Sequence, residues 1–107
     1  MADGAMPDFD GAQFDEVIHG QVRLGIMAYL ANAEAADFME LKAALNATQG
    51  NLSMHLRKLE DAGYVAIDKS ILNRKPLTRA RLTAAGRKAF AEYLTAMTRF
   101  IDSARPR

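Results

Sequence analysis

The sequence contains no cysteine and no tryptophan, only three prolines and two histidines, and 7% aromatic residues. Without thiols there is no disulfide framework, no thiolate metal site and no cysteine nucleophile, a composition that suits a reducing cytoplasm. Asp15 and His19 are four apart and share a helix face, but a metal site needs three or four ligands and no third stands nearby. No run approaches the roughly 18 apolar residues of a membrane span. The opening MADGAMPDFDG is acidic, unlike the basic region and apolar run of a secretory signal. Neither a P-loop nor a GxGxxG phosphate loop is present. Ser53 and His55 point about 160° apart on a helix, so they form no nucleophile and base. These absences predict a cytoplasmic protein with no cofactor and no membrane partner that is not an enzyme.

What is present fits one domain: 107 residues, half of them hydrophobic, suffice for one modest core and no second. The formal net charge of +1 hides an asymmetry. Residues 1–50 hold two cations and eight carboxylates, whereas residues 51–107 hold twelve cations and five carboxylates. Nine of the cations fall between Arg57 and Lys88. Such a stretch is either a solvated face or a surface for phosphate.

Residues 1–12, with two Gly, a Pro and three Asp, read as a flexible arm ahead of a domain over 13–103. Apolar residues at Phe14, Val17, Ile18, Val22, Ile26, Met27 and Leu30 keep helical spacing, with Gly20 a break near the start. Asp37 followed three residues later by Glu40 is a capping pair for a short helix over 38–45 that buries Phe38, Leu41 and Leu45. Thr48 caps the next helix, in which Leu52, Leu56, Leu59 and Gly63 lie within about 40° of one direction. Gly63 ends that helix in a left-handed conformation, with Tyr64 packing back on Leu59. Two short helices joined by a tight turn outline a helix-turn-helix.

Past Gly63 the period changes to two. Val65, Ile67 and Ile71, then Thr78, Ala80 and Leu82, mark two strands around a tip of Asn73, Arg74, Lys75 and Pro76. Thr83 caps a final helix of about 18 residues over 84–101, the dimerisation segment extending to 103. The fold class is therefore mainly α with a small β-hairpin, in the order α-α-α-β-β-α, a winged helix-turn-helix.

The exposed face of the second motif helix carries Gln49, Gly50, Asn51, Ser53, Met54, Arg57 and Lys58 after the capping Thr48. The amides of Gln49 and Asn51 suit an adenine edge and Arg57 suits guanine or phosphate, while Gly50 and Ser53 allow close approach. Ordinary solvent exposure explains the same residues equally well. The hairpin favours the DNA reading: Lys69, Arg74, Lys75, Arg79 and Arg81 give a small element five cations, as a wing on the phosphate backbone or in the minor groove requires. Charges that merely protect an edge strand are the alternative. His19 reads as a residue packed at the helix break, His55 as a flank of the core, and the six Met residues as gap filling at core spacing. The long stripe of Phe90, Tyr93, Leu94, Met97, Phe100 and Ile101, with Phe14 and Ile18 of the first helix, favours pairing with a second copy, packing within the chain being the alternative.

A family resemblance rests on these stretches. Ile18-His19-Gly20-Gln21-Val22-Arg23-Leu24, Phe38-x-x-Leu41-Lys42, Asn51-Leu52-Ser53-x-His55-Leu56-Arg57-Lys58-Leu59-Glu60-x-Ala62-Gly63-Tyr64-Val65, Arg74-Lys75-Pro76 and Arg81-Leu82-Thr83-x-x-Gly86-Arg87 resemble small winged-helix transcriptional regulators related to the MarR and ArsR groups. The likeness spans roughly residues 14–101. It implies a homodimeric repressor or activator of double-stranded DNA, with a recognition helix over 48–62, a wing near 70–80 and terminal helices pairing the subunits. An unidentified small-molecule effector is a further expected partner. Two features depart from the family: Ala80 stands where a larger, often aromatic, residue is usual, and the Cys and His clusters of metal-sensing members are missing. A winged helix that recruits an acidic protein partner is the alternative function.

Overall fold

The computed structural model describes residues 14–106. The arm expected over 1–12 lies outside the described residues. Among the described residues, four helices, α1 (Gln21–Ala31), α2 (Phe38–Leu45), α3 (Gln49–Asp61) and α4 (Ala84–Ala104), are joined by three strands, β1 (Ala36–Asp37), β2 (Val65–Leu72) and β3 (Lys75–Leu82). The sheet is antiparallel with the order β1-β3-β2.

The polar caps act where the sequence predicts. Asp37 accepts the amide of Glu40 at 2.7 Å, Thr48 that of Asn51 at 3.2 Å and Thr83 that of Gly86 at 2.9 Å. Each stabilises its helix start by about 1 kcal/mol. At the end of α3, Gly63 adopts φ +82, its amide bonds to the Glu60 carbonyl at 2.9 Å, and the Tyr64 amide reaches the Leu59 carbonyl at 3.0 Å. This pair of bonds is a Schellman cap, and it turns the chain directly into β2. Gly63 itself is exposed and outside the helix, so it does not belong to the buried face on which a continuous helical wheel places it.

The first helix is shorter than its periodicity predicts. Residues 14–19 form a turn and α1 begins at Gln21, after an extended Gly20. The extended Gly20, at φ −176, separates the two segments, and within the turn before it the Asp15 Oδ1 accepts the Val17 amide at 2.8 Å while the Asp15 carbonyl takes the His19 amide at 2.8 Å. Phe14 and Ile18 stay buried through that turn. Tyr64 donates its hydroxyl to Asp15 Oδ2 and so ties the turn to the base of the hairpin. That bond, with burial and the carboxylate charge, pushes the Tyr64 pKa up to about 12.

Ile26, Met27 and Leu30 from α1, Leu41 from α2, Leu52, Leu56 and Leu59 from α3, and Val65, Ala80 and Leu82 from the sheet share one core with Phe90 and Tyr93. Phe38 and Leu45 are half-buried against it rather than enclosed. Met39 and Met54 are exposed, so the methionines are not uniformly core residues. The two-residue β1, too short to show a period, pairs Ala36 with Ala80 and Asp37 with Arg79. That pairing explains Ala80: it lies between Ala36 and Ile67 in the sheet, buried where α1 packs on β3. Gly86 is required by close approach, since a Cβ there would lie 2.1 Å from the Tyr64 carbonyl oxygen.

Candidate nucleic-acid interface

Burial splits α3 cleanly. Leu52, Leu56 and Leu59 face the core, whereas Thr48, Gln49, Gly50, Asn51, Ser53, Met54, Arg57 and Lys58 are all exposed. Among the described residues, and apart from the adjoining backbone of α3 itself, no atom lies within 4 Å of where a Gly50 Cβ would stand, so a partner can come close to the backbone there. The Thr48 hydroxyl oxygen is committed to the Asn51 amide, which gives that residue a structural task besides any contact.

Beside this face a cleft of about 540 Å³ opens between α2, α3 and the hairpin. Gln49, Ser53 and Arg57 line one wall, and Lys69, Pro76 and Thr78 the other. Asp37 and Glu60 also border it, so the cleft is cationic only in part. The adjacent cations of α3 separate: Arg57 turns toward the hairpin, while Lys58 lines a second hollow with Glu16, Arg23 and Asp61.

Strand alternation divides the five hairpin cations as well. The register pairs Lys69 with Thr78 on the face that lines the cleft, whereas Asp68 with Arg79 and Ala66 with Arg81 occupy the opposite face. There Arg81 Nε lies 3.5 Å from Asp68 Oδ2, and Arg79 stands in register between Asp37 and Asp68. Arg79 and Arg81 therefore do not share the face that carries Lys69. The tip is also tighter than a four-residue loop: Leu72 pairs with Lys75, and only Asn73 and Arg74 turn, at φ 53 and 66. Two successive left-handed residues make a type I′ turn. Pro76 lies inside β3, tolerated because β1 reaches only Arg79 and Ala80 and leaves this end of β3 an edge.

The chain's own core takes several of the residues expected at a dimer contact. Phe14, Ile18, Phe90 and Tyr93 are buried. The Phe14 ring stacks on His19 at 5.3 Å and meets Phe100 edge-on at 5.7 Å, and His19 Nδ1 lies 2.7 Å from the Tyr93 hydroxyl. Leu94 and Ile101, 47% and 45% exposed, remain outside, with Met97 and Phe100 half-buried.

The sequence places His55 at the flank of the core and gives Arg23 no contact of its own. Arg23 Nη1 donates to His55 Nδ1 at 3.2 Å across α1 and α3, and the Arg23 Nε is buried without a hydrogen-bond partner. Burial, then the charges of Arg23 and Lys58, hold the His55 pKa below its usual value. The two residues are 32 apart in sequence, so only folding brings them together. Among the described residues no group of three or more His, Asp or Glu is placed to hold a metal, and no helix is long and apolar enough to cross a membrane.

Comparison with known proteins agrees with this fold. An uncharacterized protein of Methanocaldococcus jannaschii is 39% identical over 79 residues, covering 74% of this chain and 86% of that protein. A structure described as a transcriptional regulator homologue from Pyrococcus horikoshii superposes with a TM-score of 0.79 at 33% identity, covering 84% of this chain and 89% of the other. NadR in complex with 4-hydroxyphenylacetate gives a TM-score of 0.67 at 25% identity, over 86% of this chain and 67% of NadR. The family model described as a winged helix DNA-binding domain matches residues 22–101, which contain both α3 and the hairpin. The chain therefore belongs to the winged helix DNA-binding domain family, a binding module and not an enzyme.

Proposed function

We propose that the protein is a homodimeric, sequence-specific transcriptional regulator in the cytoplasm, with α3 in the major groove and the hairpin on the backbone or in the minor groove of double-stranded DNA. The observation that carries this reading is the cleft on which Gln49, Ser53 and Arg57 face Lys69. A duplex seated there meets amides and a guanidinium from α3 and cations from the wing. Gln49 and Asn51 then read base edges, Arg57 reads guanine or holds phosphate, and Lys69, Arg74 and Lys75 meet the backbone. Arg79 and Arg81 add only to the field, because Asp37 and Asp68 stand against them.

Pairing through the distal part of α4 supports sequence specificity, since one small module buries too little DNA surface to specify a site alone. Leu94, Met97, Phe100 and Ile101 carry that contact, and it would place two α3 helices about 34–36 Å apart on a pseudo-palindrome. Likeness to NadR supports an effector acting on such a dimer. A 4-hydroxyphenylacetate titration of the protein–DNA complex is the first test of that part.

A mobility-shift titration against duplexes selected from genomic fragments tests the whole. Arg57→Ala should weaken or relax site recognition, and Arg74→Ala should lower affinity for every sequence and flatten the salt dependence by about one phosphate contact. Both variants binding like the parent would sink the assignment. Absence of binding to random duplex at low salt would instead favour an acidic protein partner for the wing.

A further inference from the structure

The distal end of the hairpin carries two aliphatic side chains for which folding gives no reason. Ile71 is 77% and Leu72 58% exposed, and neither is among the residues packed on the core. Alternation puts Ile71 on one face beside its register partner Pro76 and Leu72 on the other beside Lys75. The tip is thus apolar on both sides, with Asn73 and Arg74 at its crest. Edge protection does not account for this, because Lys75 and Pro76 already blunt the end of β3 and an exposed Ile-Leu pair works against it.

We propose that the wing tip is an apolar wedge that enters the DNA minor groove, sets Ile71 and Leu72 against its deoxyribose walls and opens a base step there. This rests on the DNA-binding reading above. Charge selects the occupant: Lys69, Arg74 and Lys75 surround the apolar pair, as a groove with phosphate rims and sugar walls requires, whereas a purely apolar protein surface would leave three cations unmatched. Position agrees, because the strands that end in this tip also line the cleft with Gln49, Ser53 and Arg57. With α3 in the major groove, the tip projects beyond the intervening backbone.

Shape supplies the wedge. A two-residue I′ turn gives a narrow, stiff end, with strands about 4.8 Å apart before side chains are added, against a minor groove about 6 Å wide. With Ile71 and Leu72 on opposite faces the blade is wider than the groove, so entry must widen it. Aliphatic side chains placed between base steps do so by partial unstacking, most easily at flexible pyrimidine–purine steps.

The test compares the parent with the double variant I71S/L72S, after equal denaturation midpoints confirm that both fold. Each is titrated against duplexes selected from genomic fragments, with 2-aminopurine at successive positions and a dye pair at the ends. The parent should raise 2-aminopurine fluorescence several-fold at one step per half-site and shorten the end-to-end distance. The double variant should bind about tenfold to a hundredfold more weakly with an unchanged salt slope and give neither signal. An Ile71→Met, Leu72→Met pair should restore both signals. If the parent binds with 2-aminopurine silent at every position, or the serine variant binds as tightly as the parent, the wedge is overturned while the DNA-binding reading stands. If the parent binds no duplex at low salt, both fall together. If DNA-free parent is a dimer and the serine variant a monomer, the tip is a self-association surface and the wedge is overturned.

Discussion

At its base the hairpin is part of the core: Val65, Ala80 and Leu82 are buried, Thr83 Oγ1 donates to the Gly63 carbonyl at 2.6 Å, and Gly86 lies under Tyr64. At its tip the same two strands have no layer behind them, and Ile71 and Leu72 stand in water. Pairing continues in register from Val65–Leu82 to Leu72–Lys75, so hydrogen bonding does not distinguish the ends; packing does. An isolated two-stranded ribbon is marginal in water, which means that the base holds the hairpin and the tip is held out by it. Side chains near the base are therefore constrained by stability. Those near the tip are free to answer to a partner.

The largest expected effect follows directly. Leu82→Ala should cost about 2–5 kcal/mol in chemical denaturation, because it empties a buried site shared by the sheet and the helices, whereas Leu72→Ala should change stability by no more than about 0.5 kcal/mol. Equal losses at the two positions would dissolve the distinction between base and tip. A smaller effect of opposite sign is expected at the crest. Arg74 adopts φ 66, a conformation that costs an L-residue about 1 kcal/mol and glycine almost nothing. Arg74→Gly should therefore raise the denaturation midpoint while weakening DNA binding. A variant that loses stability there would show that the tip depends on the arginine side chain and not on turn geometry.

How legible these regions were in the sequence follows the same division. The caps at Asp37, Thr48 and Thr83 and the left-handed Gly63 are local rules, each decided by residues three or four apart, and the structure keeps all of them. The exposed face of α3 was legible because one period governs the whole helix. The start of the first helix was legible only in part, since Gly20 marks the break while the apolar spacing runs through it without interruption and includes Phe14 and Ile18 from the turn before it. β1 has two residues and exists only through Ala80 and Arg79, far along the chain. Counting hairpin cations does not say which face each one takes; register, not composition, sets Arg79 and Arg81 on the face of Asp68. The apolar stripe of α4 likewise showed amphipathicity but not depth, and Phe90 and Tyr93 turn out to be core.

The smallest expected effect tests that last separation of the cations. Asp68 and Arg81 are both exposed on the outer face, with 3.5 Å between Oδ2 and Nε, and a pair of this kind contributes no more than about 1 kcal/mol. Asp68→Asn should thus leave the denaturation midpoint nearly unchanged, which would show that packing rather than charge secures the base of the hairpin. Its effect on DNA is the more informative measurement. The substitution removes one negative charge and releases Arg81 without moving it to the cleft face, so affinity should rise only slightly at low salt, with the salt slope unaltered. A slope steeper by about one contact would mean that Arg81 reaches a phosphate once released, and that the outer face of the wing takes part in binding alongside Lys69 and Arg74.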